Sequence, residues 1–196
     1  MIGDALVGIK TVMLLSYSGV KIQALLRWLK TKGVLHVHTV VLREGAPTHC
    51  PQPVGQKSAI ECLMKRLPDI KLDRETLYLG IENFIDVDAQ GRWTDYAAVC
   101  ASFFSSDGLL ISVSSVGIFG NYIPPKYAPT GEPDIDSPLG YQTTVGQRIH
   151  AARPRIPHDN WGASVAPLNV DRVTQIFDAL RGLDGKIRLP VKGKQQ

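Results

Sequence analysis

The chain has 196 residues, of which 44% are apolar and 20% are charged, and its net charge is +4. This composition is typical of one globular domain and excludes a disordered or collagen-like chain. No apolar run approaches the ~18 residues that span a bilayer, and the N-terminal segment lacks the features of a secretory signal. We therefore expect a soluble, intracellular, cytoplasmic protein with no membrane partner.

Charge and cysteine usage narrow the function classes further. The basic residues are scattered, apart from the C-terminal segment KIRLPVKGKQQ, residues 186–196. A nucleic-acid partner would require a basic face, so we do not expect one. Cys50, Cys62 and Cys100 form no CxxC pair, which indicates reduced thiols rather than a disulfide framework or a zinc site.

The first part of the chain predicts a strand, a helix and a second strand. Residues 11–18, TVMLLSYS, are an apolar run that ends in small polar residues, and residues 19–33 carry apolar side chains at helical spacing before a terminal glycine. Residues 34–42 alternate like a strand, which would place His36 and His38 on one face. Without a third ligand at a recognisable spacing, these histidines do not indicate a metal site.

A second helix is predicted over residues 56–67. Four apolar residues at helical spacing define its expected buried face: Ile60, Leu63, Met64 and Leu67. Three extended runs follow at 76–87, 93–104 and 109–119, and the turn-forming sequence DAQG between the first two predicts an antiparallel hairpin.

The remainder of the chain predicts a loop and two helices. Residues 120–138 are rich in proline and glycine and are expected to form a long loop. A helix is predicted over about 140–151, and a last helix is predicted to start at Asn169 as its N-cap. Strands interleaved with helices predict an α/β domain over residues 11–183, with an N-terminal extension at 1–10 and a basic tail at 184–196.

Three segments carry a resemblance to a known family: LSYSGVKIQALLRWL (15–29), EGAPTHCPQPVG (44–55) and LYLGIENFIDV (77–87). In order and spacing they resemble the motifs of the YjjX-type inosine/xanthosine triphosphatase family, over most of the chain. The resemblance implies an inosine-triphosphatase-like α/β fold with an elongated mixed sheet flanked by helices. It also implies a dimer and magnesium-dependent hydrolysis of non-canonical purine nucleoside triphosphates.

Within that superfamily, the closer resemblance is to the domain of the eukaryotic proline-rich coiled-coil protein family. The matching features are QPVG, IENFI, Trp93-Thr94-Asp95, TVG and a tryptophan before the last helix, Trp161. IENFI is the most specific of them, because the hydrolases usually have Ala-Gly where this chain has Asn83 and Phe84.

The resemblance also implies candidate site residues. The glutamate that matches Glu82 belongs to the acidic metal site of the hydrolases, so Glu82 is a candidate magnesium ligand and catalytic remnant. An alternative stays open, in which the Glu82 carboxylate accepts backbone hydrogen bonds or pairs with a nearby lysine and fixes the strand end. The candidate nucleotide-binding and phosphate-binding residues are Ser16, Ser18, Lys21, Gln52 and Gly55.

Acids of the family's site have no counterpart at the matching positions. The hydrolases' Asp-Glu pair on a later segment aligns with Gly146 and Gln147, and their asparagine before the first helix aligns with Ser18. One glutamate is a poor magnesium site, and loss of the other acids costs on the order of 10³-fold in rate. We therefore predict a catalytically degenerate module for protein–protein binding or structural assembly. It would act with a protein partner or as a homodimer and would require no cofactor.

Two alternatives retain a nucleotide. The chain could be an active Mg-dependent hydrolase of inosine or xanthosine triphosphate, with replacement acids from Asp86 and Asp88, on the strand face of Glu82, or from Asp134 and Asp136. It could instead be a sensor that binds a purine nucleoside triphosphate without hydrolysing it. The sensor requires Lys21, the turn at 16–18 and residues 52–55 to line one cleft.

Two further patterns are less specific. His150, His158 and Asp159 with Ser114 or Ser115 supply the residue types of a catalytic triad, but no GxSxG motif exposes a serine. The basic segment 148–161 could hold a phosphate or an acidic protein surface, or could be a solvated loop packed by a tryptophan.

Overall fold

A computed structural model describes residues 9–34, 39–44, 50–66, 72–105, 107–136, 138–165 and 168–187. Its strands are β1 (Thr11–Leu14), β2 (Thr39–Leu42), β3 (Gln52–Pro53), β4 (Thr76–Val87), β5 (Trp93–Phe104), β6 (Leu110–Val116), β7 (Asn121–Tyr122), β8 (Ile135–Asp136) and β9 (Leu139–Tyr141). Its α-helices are α1 (Gly19–Thr31), α2 (Gly55–Lys65), α3 (Val145–Ala152), α4 (Gly162–Val165) and α5 (Arg172–Arg181).

The main sheet is mixed and has the strand order β2–β1–β4–β5–β6, with β7 paired to β5. Strand β1 is parallel to both β2 and β4, whereas the β4–β5 and β5–β6 pairs are antiparallel. Helices lie on both faces of this sheet, because the parallel strands require crossover connections. The predicted α/β fold with an elongated mixed sheet flanked by helices is confirmed, as is the β4–β5 hairpin.

The side-chain alternation of β4 divides the core between the two faces. Leu77, Leu79 and Ile81 pack with α1 and α5 in the larger core, which also includes Ile9 and Ile187. Phe84 faces the opposite side and packs with α2. A second sheet, in the order β3–β9–β8, carries a smaller core with α3 at the far end of β4.

The structure corrects the predicted buried face of α2. Its buried residues are Ser58, Ala59, Cys62 and Leu63, whereas Met64 is 39% exposed. The small side chains let the helix approach β4 closely, and Leu63 fills the space over Gly80, where an added Cβ would lie 2.9 Å from Leu63 Cδ2. The close approach of α2 to the sheet therefore determines which face of the helix is buried, and the positions of its largest apolar residues do not.

Two helix starts were also wrong. The helix that we expected over about 140–151 begins only after Thr144, because residues 139–141 form β9. The last helix is capped by Asp171, whose side chain accepts from Thr174 N, and not by Asn169. The Asn169 amide instead exchanges two hydrogen bonds with the backbone of Tyr122.

The region 120–138 is less of a loop than we expected, because it includes β7, β8 and a 3-10 helix at Pro125–Tyr127. His36, His38, Leu67 and residues 188–196 of the tail lie outside the described residues. In the part that the structure describes, no helix is both long and apolar enough to cross a bilayer.

Candidate functional site

A gap beside strand β4 creates a partly open cavity of about 150 Å³. Strand β1 ends at Leu14, opposite Leu79, and the next neighbour on that side is Val54, which pairs with Ile85. On that side, opposite β5, the stretch of β4 around Glu82 therefore has no strand beside it in the part of the chain that the structure describes. Residues from α1, α3, β5 and α5 line the space.

The Glu82 side chain lines this cavity and forms an ion pair with Arg66. The Arg66 Nη2 atom contacts Glu82 Oε2, and Glu82 Oε1 accepts a hydrogen bond from Asn83 N at 3.1 Å. The two paired side chains are only 17% and 10% exposed. An unpaired carboxylate at this depth would be costly, so the guanidinium compensates the charge that the strand buries.

Lys21 projects from the first turn of α1 towards the same stretch of β4. Its Nζ atom donates a hydrogen bond to Ile81 O at 2.7 Å. Loss of hydration lowers the pKa of Lys21, while the Glu82 carboxylate acts in the opposite direction. The ammonium group is thus already bound by a strand carbonyl, where a nucleotide phosphate was expected.

A second buried ion pair lies on the opposite face of the sheet. Arg172 Nη1 lies 2.6 Å from Asp95 Oδ2, and the two side chains are 8% and 2% exposed. Gln175 accepts from Arg172 at 2.9 Å and donates to Asp95 O, which ties α5 to β5. Burial raises the pKa of Asp95 to about 6, although Arg172 favours the ionised form.

The N-terminus of helix α3 lies at the cavity, and side chains accept hydrogen bonds from backbone amides of its first turn. Thr144 Oγ1 accepts from Gln147 N at 3.1 Å, and Gln147 Oε1 accepts from Thr144 N at 2.8 Å, which forms a capping box. Gln52 Oε1 accepts from Val145 N at 3.0 Å. These contacts leave fewer backbone donors for a bound anion.

Gly146 occupies a position that excludes any side chain. An added Cβ would lie 1.9 Å from the His158 carbonyl oxygen, a distance that requires the backbone to move. An acid at this position, which the resemblance to the hydrolases would imply, does not fit the observed backbone.

The structure brings together some of the predicted site residues. Ser18, Lys21, Gln52 and Glu82 line the cavity. Ser16 and Gly55 are not among its lining residues in the described ranges. Ser16 Oγ closes the turn before α1 by accepting from Ser18 N at 3.1 Å, and Gly55 starts α2 with a φ of +78°, a conformation that favours glycine.

The candidate replacement acids lie elsewhere. Asp86 is exposed at the outer end of β4, and Asp88 pairs with Arg92 at 2.7 Å. Asp134 accepts from Gln142 N at 2.9 Å, and Asp136 is exposed on β8.

The residues of the candidate triad are divided between two places. His158 and Asp159 line the cavity, whereas Ser114 and Ser115 belong to β6. His150 Nδ1 lies 2.8 Å from Ile156 O. Within the described residues, no serine of β6 lines the cavity beside His158.

The donor set of the cavity does not fit a magnesium ion. Among the described residues, no three His, Cys, Asp or Glu side chains come close enough together to hold a metal. Magnesium takes oxygen ligands in a near-ideal octahedron, with carboxylates supplying the charge. Glu82 and Asp95 each face an arginine instead.

Sequence reasoning missed Arg66 and Arg172 as site residues and included Asp95 only as part of a motif. A usable signal existed for Asp95, which is the one charged residue within the mostly apolar strand β5. Arg66 had no such signal, because its role depends on the end of α2 lying over Glu82.

The comparisons with known proteins identify the fold and not a family. No protein-family model matches the chain, and no curated protein matches its sequence. Among solved structures, the fold is similar to that of protein VC0702 from Vibrio cholerae, with a TM-score of 0.61 over 89% of this chain and 92% of that chain. The two sequences are 12% identical, so the likeness concerns the fold alone.

Proposed function

We propose that the chain is a catalytically degenerate module on an inosine-triphosphatase-like fold, acting in protein–protein binding or as a structural component of an assembly. The observation that carries this proposal is the ion pair between Arg66 and Glu82. A guanidinium neutralises the carboxylate, but unlike a divalent metal ion it is not a Lewis acid and cannot activate an attacking water by coordination.

The size and charge of the cavity support the same proposal. Its volume of about 150 Å³ is small beside the roughly 300–1,000 Å³ that is usual for ligand pockets. Its two most buried acids are paired with arginines, and Gly146 leaves no room for a further carboxylate.

An exposed sheet edge supports a partner that is another protein or a second copy of the chain. Strand β6, LISVSSV, is the last strand of the main sheet in the described residues and has no charged side chain of its own, although Lys186 Nζ donates a hydrogen bond to Ser114 O. Edge strands usually carry charges or proline that discourage pairing with another chain. The adjoining Leu109 and Leu110 are 67% and 45% exposed.

Magnesium-dependent hydrolysis of inosine or xanthosine triphosphate is the second candidate. The placement of Lys21 and Ser18 at the start of α1, beside Glu82, favours it. This function requires Arg66 to leave Glu82 so that a metal ion can approach the carboxylate.

Release of phosphate or pyrophosphate from inosine and xanthosine triphosphates, with magnesium or manganese, tests the proposal. We expect the same background release from wild type, Glu82→Gln and Lys21→Ala, in preparations shown to be folded by circular dichroism. Asp107→Asn, a change at an exposed acid outside the cavity, is the matched control. Turnover that both cavity variants remove and the control keeps would establish the second candidate.

A further inference from the structure

The outer ends of β4, β5 and β7 form an open groove on the sheet face that carries α2. Asp86 pairs with Thr94, and Thr94 pairs with Tyr122, so the three residues lie in one row across the strands. Helix α2 starts at Gly55, near Ile85, and leaves this row uncovered. The groove has a volume of about 610 Å³, which is enough for several residues of a peptide.

Aromatic rings held in place by packing form the floor and wall of this groove. The Tyr96 ring stacks on Phe84 with a centroid distance of 5.6 Å. The backbone at Gly120 lies against the same tyrosine, since an added Cβ there would be 2.5 Å from Tyr96 Cε1. Tyr122 is 41% exposed, and its backbone is fixed by two hydrogen bonds to the Asn169 amide.

One carboxylate of the groove has no counter-charge. Asp88 pairs with Arg92 Nε at 2.7 Å and accepts from the backbone of Gln90 and Arg92. Asp86 lines the groove and accepts only from Val87 N, at 2.9 Å, and it forms no ion pair within the described residues. The groove therefore combines an unmatched negative charge with exposed aromatic surface.

We propose that this groove binds an arginine or lysine side chain carried by an extended segment of a partner protein. A cation can pair with the Asp86 carboxylate while its stem or guanidinium plane lies on the rings of Tyr96 and Tyr122. This inference rests on the proposed binding function and assigns it a surface and a class of partner.

The probe for the experiment is the peptide acetyl-Gly-Arg-Gly-amide, with acetyl-Gly-Gln-Gly-amide as its neutral counterpart. Titration into ¹⁵N-labelled protein should shift the backbone amide signals of Thr94, Tyr96 and Tyr122, with the arginine peptide only. Asp86→Asn should weaken the binding by about tenfold or more, as expected for loss of a charge-assisted contact. Tyr122→Ala should weaken it as well, whereas Asp136→Asn, at an exposed acid outside the groove, should not.

Shifts that are equal for the two peptides, that fall elsewhere, or that are unaffected by Asp86→Asn would overturn the assignment of this groove and leave the proposed binding role standing. Failure of the proposed function can be distinguished from failure of the groove assignment, because Asp86 is outside the cavity around Glu82. Triphosphate hydrolysis would overturn the proposed function, and the peptide titration would still decide whether the groove binds a basic side chain.

Discussion

Replacing Arg66 by methionine should destabilise the fold through Glu82. The variant keeps most of the apolar stem of Arg66 but leaves a carboxylate of a residue that is only 8% exposed without its counter-charge. Breaking a buried ion pair costs about 3–5 kcal/mol, and the partial exposure of Arg66 reduces the expected loss to about 2–4 kcal/mol. Glu82→Gln, which leaves the more accessible arginine unpaired, should cost about 1–3 kcal/mol.

Urea unfolding followed by tryptophan fluorescence measures these losses. The double variant should be less destabilised than the sum of the single variants, by a coupling free energy of about 1–3 kcal/mol. Lys65→Met is the matched control on the same helix, because the Lys65–Glu61 pair is 52% and 38% exposed and its loss should cost at most about 1 kcal/mol. An Arg66→Met cost no larger than this control, or strictly additive losses, would refute the reasoning.

Two further predictions concern Asp95 and Gly146. Burial raises the pKa of Asp95 to about 6, whereas the unfolded chain has the ordinary pKa of ~4. Between pH ~4 and ~6, Asp95 is therefore protonated in the folded chain and ionised in the unfolded chain. The free-energy advantage of wild type over Asp95→Asn should therefore decrease as the pH rises through this window, by up to about 3 kcal/mol in urea titrations, and an increase would contradict the assignment. Gly146→Ala should cost about 1–3 kcal/mol or more in thermal unfolding, because the new methyl group meets the His158 carbonyl oxygen. Gly185→Ala, where the space is open, should stay within about 0.5 kcal/mol, and equal effects of the two changes would contradict the packing.

The long elements could be predicted because their patterns are local. Strands β4 and β5 have twelve residues each, and the turn-forming sequence DAQG between them allows the hairpin to be predicted. The three-residue β9 could not be predicted in this way, since it pairs with β3 from far along the chain. Asn169 and Asp171 are equally good N-caps by type, and the bonds of Asn169 to Tyr122 decide between them.

The candidate site was predictable only in part, for a similar reason. Lys21 and Glu82 belong to contiguous motifs that can be recognised along the chain. The partners that determine their chemistry come from other elements, because Arg66 reaches Glu82 from the end of α2 and Arg172 reaches Asp95 from α5. Tertiary packing determines which cation neutralises each buried carboxylate, so this pairing cannot be predicted from residue types alone.

Electron paramagnetic resonance of free Mn²⁺ tests the central claim most directly, because it reports whether Glu82 binds a metal ion or remains paired with Arg66. With inosine triphosphate present, we expect wild type and Glu82→Gln to leave the signal of free manganese at the same amplitude as the nucleotide alone. A loss of that signal with wild type, restored by Glu82→Gln, would contradict the account and place a metal ion where the structure has a guanidinium.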